Sequence, residues 1–295
     1  MYKIYNLSIV LSFFGLWVTS LFPGELEVVL GFIFIFSFGI LHGSNDILLI
    51  NSMSNPKTRF PMFRVLFTYI IIVLAAVVVF YFLPLLGLIL FVLFSAFHFG
   101  EQHWEHRTLS ISKGLKQLLY ILYGLFVLQL LFVLNPDDVI EVVQSISGYI
   151  LEESLILYSF ISNSIALLVL IIILLLKSEV FKNSLIKELL YLMVFTIIFK
   201  VSTLIWGFTI YFILWHSVPS LYEQVGFIYG TFNKKNVLNY CKKALPYWII
   251  SLVSIALVYV LFKERAMFYA LFFSFIAAVT FPHALVINKM FSHKT

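Results

Sequence analysis

Charged side chains are scarce in this chain. Asp, Glu, Lys and Arg together make up 11% of its 295 residues, whereas 62% of the residues are hydrophobic. A soluble globular domain carries roughly 25% charged residues, so the composition argues against that class. Apolar runs of about 20 residues, the length that spans a bilayer as a helix, fill the sequence, and the alternating pattern of a membrane barrel is absent. We therefore predict an all-α fold, a polytopic integral membrane helix bundle.

Cysteine is also nearly absent, since Cys241 is the only one. This excludes an intramolecular disulfide and a metal site built from several thiolates. The net charge of +5 comes from Lys and Arg residues that are scattered through short connections, so we expect no nucleic-acid partner. No A-x-A-like cleavage site follows the first apolar run. We therefore expect this run to be retained as a helix rather than removed as a signal peptide.

Apolar runs bounded by charges or proline predict about 8 to 10 transmembrane helices. The ten runs are residues 5–22, 26–50, 65–83, 85–104, 116–134, 154–176, 186–203, 205–228, 245–262 and 266–290. No soluble domain fits into the connections, the longest of which covers residues 135–153. Residues 1–295 are therefore predicted to form a single transmembrane domain.

The distribution of Lys and Arg predicts the orientation, because these residues are retained on the cytoplasmic side of a membrane. With ten helices, four basic connections fall on one side: Lys57, Arg59 and Arg64; Arg107, Lys113 and Lys116; Lys177, Lys182 and Lys187; Lys234, Lys235, Lys242 and Lys243. The acidic connections, near Glu25 and around residues 135–153, fall on the other side, with Lys263 and Arg265 as the exception. We expect a multi-pass protein of the inner (plasma) membrane of the cell with both termini in the cytoplasm.

Four of the seven histidines lie inside separate predicted spans: His42, His98, His216 and His283. At ~1.5 Å per residue they fall roughly 24, 20, 17 and 26 Å below the outer boundary, in one layer. An ionisable group in hydrocarbon is costly unless a partner or a water-filled cavity receives it. Imidazole is the commonest metal ligand and suits iron, zinc, copper and nickel. We therefore predict a metal site with nitrogen ligands, although each histidine alone is also compatible with a packed, hydrogen-bonded core position.

Two carboxylates follow these histidines at helical spacing. Asp46 lies four residues after His42, and Glu101 lies three after His98, so each pair shares a face of a continuous helix. Such a carboxylate can accept the N–H of the ring nitrogen that does not bind metal. Hydrogen bonds between helices are the alternative. His103 lies at the cytoplasmic end of the same helix as His98, where an interfacial role is an alternative to a role in the site.

Four stretches around the histidines resemble the motifs of a known family. LHGSNDILL (41–49), SAFHFGEQHW (95–104), LWHSVPSL (214–221) and FPHALV (281–286) are similar, in order and approximate spacing, to those of the Brp/Blh family of β-carotene 15,15′-dioxygenases. The resemblance implies cleavage of β-carotene by O₂ into two molecules of all-trans-retinal at a histidine-ligated non-haem Fe²⁺ in the bilayer. The retinal can then be passed to a rhodopsin. His42, His98 and His216 match ligand positions of the family.

The sequence departs from the family pattern at one position. Many members have a second histidine one helical turn after the one that matches His216, whereas this chain has Ser220. Three alternatives remain for the fourth ligand: His283, an inward-turned His103, or a site with three protein ligands. We favour His283, because it shares the depth of the other three.

Two other functions are compatible with the pattern. The cluster HFGEQHWEH suggests a histidine-box di-iron membrane hydroxylase or desaturase, but by family analogy that class needs more histidine ligands than the seven histidines here supply. A non-enzymatic transporter or retinal-binding protein would use intramembrane His and Asp without a metal.

Overall fold

The computed structural model describes residues 2–53, 62–107, 109–261 and 265–293. Within these ranges the regular structure is helical throughout and contains no strand, which confirms the predicted all-α class. Several of the basic residues used to predict the orientation, Lys57, Arg59 and Lys263, lie outside the described residues.

The helices are numbered in chain order. They are α1 (Tyr2–Thr19), α2 (Gly24–Phe34), α3 (Asp46–Met53), α4 (Met62–Phe82), α5 (Pro84–Trp104), α6 (Lys113–Leu134), α7 (Pro136–Ser147), α8 (Glu153–Lys177), α9 (Glu179–Val201), α10 (Leu204–Ile210), α11 (Val218–Tyr229), α12 (Lys234–Leu261) and α13 (Arg265–Ser292). Two π-helical segments also occur, Ile35–Gly39 after α2 and Tyr211–Ser217 between α10 and α11.

The predicted helix over residues 26–50 is interrupted, so this prediction was wrong. After the π-helical segment Ile35–Gly39 the chain turns at residues 42–45, and α3 begins at Asp46. Gly, Ser and Asn occupy this turn, and these residues favour turns because their backbone or side chains compete with helical hydrogen bonding. His42 and Asp46 therefore do not lie on one face of a continuous helix.

Helix α7 lies in the segment that the sequence analysis treated as a connection. Pro136 begins it, and Asp137 and Asp138 occupy its first turn. Proline suits the first helical position, and acidic side chains there interact favourably with the helix dipole. The run PDD before a periodic apolar pattern was the signal for this helix.

Five helices in the described part are long and apolar enough to cross a membrane: Pro84–Trp104, Lys113–Leu134, Glu153–Lys177, Leu204–Tyr229 and Phe272–Ser292. Lys3–Thr19 and Phe67–Phe82 are shorter apolar helices. Large apolar side chains such as Leu176 are exposed (84%), as lipid-facing residues are. These features are compatible with a membrane protein, whereas the total of 8 to 10 spans stays a prediction.

The chain divides into two compact units. Unit 1 comprises Met1–Ile33, Val92–Glu141 and Ile150–His216, and unit 2 comprises Phe34–Phe91, Val142–Tyr149 and Ser217–Thr295. In unit 1, α6 packs against α8, α9 and α10, and α9 also contacts α1. In unit 2, α13 packs against α3, α4 and α12, and α11 contacts α3 and α12.

In unit 1, the backbones of α5 and α6 touch at two glycines. A Cβ atom on Gly100 would lie 1.9 Å from the carbonyl oxygen of Tyr120, and one on Gly124 would lie 1.8 Å from that of Ala96. Small residues allow such approach between membrane helices, where lipid supplies no hydrophobic drive and close packing holds helices together. This contact fixes the half of α5 that carries His98.

In unit 2, α13 is packed on both sides of His283. Before it, Phe281 belongs to an apolar cluster with Phe80 of α4 and Leu88 of α5. After it, Ile287 belongs to a second cluster with Leu49 of α3. The helix that carries His283 is therefore held against three others.

Candidate functional site

Unit 1 brings two of the predicted ligands together. His98 on α5 and His216 in the second π-helical segment have ring centroids 4.7 Å apart and ring planes at 76°. Each is 1% exposed. Phe99 lies 4.5 Å from the His216 ring, and Phe212 stacks on it at 5.6 Å. The two imidazoles thus lie among aromatic rings that keep water away.

Helix α10, which leads to His216, has its N-terminal N–H groups capped by three side chains. The Thr203 hydroxyl accepts the Trp206 N–H, Glu27 Oε2 accepts the Thr203 N–H at 3.1 Å, and Asp138 Oδ2 accepts the Leu204 N–H at 3.1 Å. These groups satisfy N–H groups that have no partner within a helix, and the two carboxylates complement its dipole. Glu27 of α2, Asp138 of α7 and the N-cap residue Thr203 therefore fix where α10 starts.

The π-helical segment is itself tied to α1. Ser8 Oγ donates to the carbonyl oxygen of Leu214 at 2.6 Å, and Trp215 Nε1 donates to Ser12 Oγ at 3.0 Å. Pro219 follows at the start of α11 and has no N–H for the carbonyl of Trp215. Such π-helical turns are frequent at functional sites, because they re-aim side chains.

Unit 2 brings the other two predicted ligands together. The rings of His42 and His283 have centroids 4.9 Å apart and planes at 84°, and both residues are buried. His42 Nδ1 donates to the carbonyl oxygen of Gly39, and His283 Nδ1 donates to Asp46 Oδ1 at 2.7 Å. A carbonyl or carboxylate oxygen can only accept, so the hydrogen is on Nδ1 in both rings. Nε2 is then the atom with a lone pair for a metal.

This donor chemistry fits a metal ion of the kind predicted. His42, His98 and His283 are each buried and each offers one ring nitrogen. Imidazole nitrogens suit iron, zinc, copper or nickel.

The comparison with known families decides which class the chain falls into. A model of the family described as beta-carotene 15,15′-dioxygenase matches residues 33–291. The chain belongs to this family. No curated protein and no solved structure matches it. All four histidine motifs lie inside the matched range, and the family is the one that they predicted.

In this member of the beta-carotene 15,15′-dioxygenase family, Asp46 does not pair with the histidine that the sequence pattern predicted. The sequence pattern paired it with His42, but its Oδ1 accepts the hydrogen bond of His283 on α13, and the hydroxyl of Tyr69 lies 3.3 Å from Oδ2. The turn at residues 42–45 causes the difference, because it removes the helical spacing on which the expectation was based.

His103 lies in a buried ionic cluster of unit 1. Its Nε2 lies 2.7 Å from Glu188 Oε2, Tyr123 donates to the same oxygen at 3.1 Å, and Arg107 donates to Oε1. Burial alone would lower the pKa of Arg107, but the Glu188 carboxylate raises it above its ordinary value. Turning His103 towards a metal would break this cluster, which argues against His103 as the fourth ligand.

The remaining predicted residues are also buried. Glu101 is 3% exposed on α5, and Ser220 is 1% exposed on α11. Where many family members carry histidine, Ser220 Oγ accepts a hydrogen bond from Gln224 Nε2 at 3.0 Å. Sequence reasoning missed Gln224, although an amide inside an apolar span is a signal of its own.

Proposed function

We propose that this chain cleaves the central double bond of β-carotene with O₂ and releases two molecules of all-trans-retinal. Membership of the beta-carotene 15,15′-dioxygenase family supports the reaction class. The observation that carries the proposal is the pair of buried histidines in each unit, His98 with His216 and His42 with His283, because a packing role does not require rings in close, nearly perpendicular pairs.

We assign the metal to His42, His98, His216 and His283, with iron(II) as the ion. The hydrogen bond from His283 to Asp46 supports His283 as the fourth ligand, since ligating histidines commonly donate their second N–H to a carboxylate. Bound iron with open coordination positions would supply the activation of O₂ beside the alkene. Asp46 and the Gly39 carbonyl would keep the imidazoles in the required tautomer.

An apolar substrate such as β-carotene suits the aromatic surroundings of His216. β-Carotene dissolves in the hydrocarbon layer, so entry between helices avoids water. Phe208 and Phe212 are half-buried and stacked at 5.3 Å, and Phe212 in turn stacks on His216. These rings offer flat surfaces to a conjugated chain, and Phe99 would help to exclude water from the reacting carbons.

The membrane assignment belongs to the same proposal. We place the protein in the inner membrane with both termini in the cytoplasm, which is the side predicted for the basic connections. Fusing a reporter that is active only in the cytoplasm to each end would test this orientation.

Expression in bacterial cells that make β-carotene tests the reaction. We expect the cells to lose their orange colour and to accumulate retinal, and His216→Ala to abolish both changes. His293→Ala is the matched control, because His293 is exposed and lies outside the family match. Unchanged carotenoid in cells that contain folded, iron-loaded protein would overturn the proposal. An iron content of two per chain would favour the di-iron alternative.

A further inference from the structure

Helix α12 contacts the segment that carries His42 at three points within unit 2. The hydroxyl of Tyr240 lies 2.8 Å from the carbonyl oxygen of His42, and Asn45 Nδ2 donates to the main-chain carbonyl of Tyr240 at 2.9 Å. Further along α12, Trp248 Nε1 donates to the carbonyl oxygen of Ser37 at 2.8 Å. Tyr240 is completely buried.

These contacts lie where the helix is broken. The backbone passes here from a π-helical segment into a turn, and polar backbone groups in an apolar interior need hydrogen-bond partners. Ser37 lies in the π-helical segment and His42 in the turn, and both carbonyls receive a donor from α12. Helix α12 therefore stabilises this particular backbone path.

The hydroxyl of Tyr240 also links His42 to Ser220. It lies 2.6 Å from the amide of Gln224, which in turn contacts Ser220 Oγ. Gln224 Oε1 faces Tyr240, and Gln224 Nε2 donates to Ser220 Oγ at 3.0 Å, so the hydroxyl hydrogen of Tyr240 lies between two acceptors, the His42 carbonyl and Gln224 Oε1. The two contacts hold the hydroxyl beside the turn that carries His42.

We propose that Tyr240 is a positioning residue for the metal site, because it fixes the backbone turn on which His42 is mounted. The orientation of the His42 ring depends on that backbone, because Nδ1 donates a hydrogen bond to the Gly39 carbonyl three residues earlier. A shift of the peptide at His42 therefore moves Nε2. The proposal rests on the proposed function in one respect only, the assignment of His42 as a metal ligand.

The test is a titration of purified, metal-free protein with Co²⁺, whose visible absorption reports the arrangement of its ligands. Tyr240→Phe keeps the ring and removes the hydroxyl. We expect Co²⁺ to bind this variant about tenfold more weakly and with a shifted visible band, the size of effect seen when groups that support metal ligands are removed. Tyr247→Phe is the matched control, since Tyr247 is on the same helix and 41% exposed, and it should bind as the wild type does.

A second control separates positioning from general loosening. Asn163→Leu removes a buried hydrogen bond to the Leu122 carbonyl in unit 1, far along the chain from Tyr240. It should lower the unfolding temperature without changing Co²⁺ affinity. If Tyr240→Phe yields no folded protein, Asn45→Ala removes the hydrogen bond from the turn to the main-chain carbonyl of Tyr240 and should weaken Co²⁺ binding in the same way.

Three results would overturn the proposal. They are an unchanged Co²⁺ affinity and spectrum in both Tyr240→Phe and Asn45→Ala, an equal loss of affinity in Asn163→Leu, and no Co²⁺ binding by the wild type. Failure of the proposed function would give a different set of results from failure of the role of Tyr240. A wild type that binds Co²⁺ but makes no retinal in carotenoid-producing cells contradicts the reaction, while the comparison of Tyr240→Phe with Tyr247→Phe still decides the role of Tyr240.

Discussion

Asp46 Oδ1 accepts a hydrogen bond from His283 Nδ1 at 2.7 Å, across 237 positions of sequence. Both residues are buried, and the bond fixes which nitrogen of the His283 ring carries the hydrogen. It also joins α3 to α13 at the point where each carries a residue of the candidate site.

Replacing Asp46 by asparagine should weaken metal binding roughly 10- to 100-fold, because a neutral amide no longer holds the ring in one tautomer. The measurement is iron retained per chain after dialysis against a chelator of graded concentration. Asp137→Asn is the control, since Asp137 is exposed at the start of α7. Equal iron retention in both variants would show that Asp46 does not support a ligand.

The identity of the fourth ligand can be tested by comparing two histidines. We expect His283→Ala to lower the iron content of the purified protein sharply and to abolish retinal formation. His103→Ala should keep its iron, although removing a partner of Glu188 should lower its unfolding temperature. Iron loss in His103→Ala with full iron in His283→Ala would reverse the assignment.

The contact between α5 and α6 predicts a strong effect of a single methyl group. Gly100→Ala or Gly124→Ala places a Cβ within 2 Å of a carbonyl oxygen that belongs to a helix backbone and cannot move aside cheaply. Overpacking of this kind costs typically 1–3 kcal/mol or more, about enough to reduce the yield of folded protein severely. Gly114→Ala, where no atom lies within 4 Å, should be neutral or slightly stabilising in a thermal unfolding assay in detergent.

The buried cluster around Glu188 predicts a large loss of stability on removal of one charge. Glu188→Gln leaves Arg107 buried without its counter-charge, and breaking such a pair costs roughly 3–5 kcal/mol. The exposed pair of Glu179 and Lys182, 3.7 Å apart, supplies the control, because exposed pairs contribute little. Thermal unfolding of Glu188→Gln and Glu179→Gln should therefore differ widely. Similar unfolding temperatures would mean that the cluster is not a structural anchor.

The predictions that succeeded rest on local composition. Long apolar runs predicted the all-helical fold, and the short motifs around His42, His98, His216 and His283 predicted the family. The number of spans, the single domain, the orientation and the ligand set remain predictions. Each depends on the bilayer or on a bound ion.

What the sequence did not predict depends on contacts between distant residues. Glu188 meets His103 across 85 positions, and Tyr240 meets His42 across 198. No periodicity in one helix can identify such partners. The pairing of Asp46 with His42 failed for the opposite reason: helical spacing was assumed through four turn residues, 42–45, in which the helix stops.

The π-helical segment Tyr211–Ser217 has a consequence for how this chain is aligned with others. A π turn is equivalent to one extra residue inserted into an α-helix, so every side chain after it is rotated by ~100° from its α-helical direction. Deleting one residue, for example Ile213, would restore a regular helix and swing His216 away from His98. An alignment that absorbs this insertion as a gap elsewhere would assign the wrong residues to the interior face of the entire downstream helix.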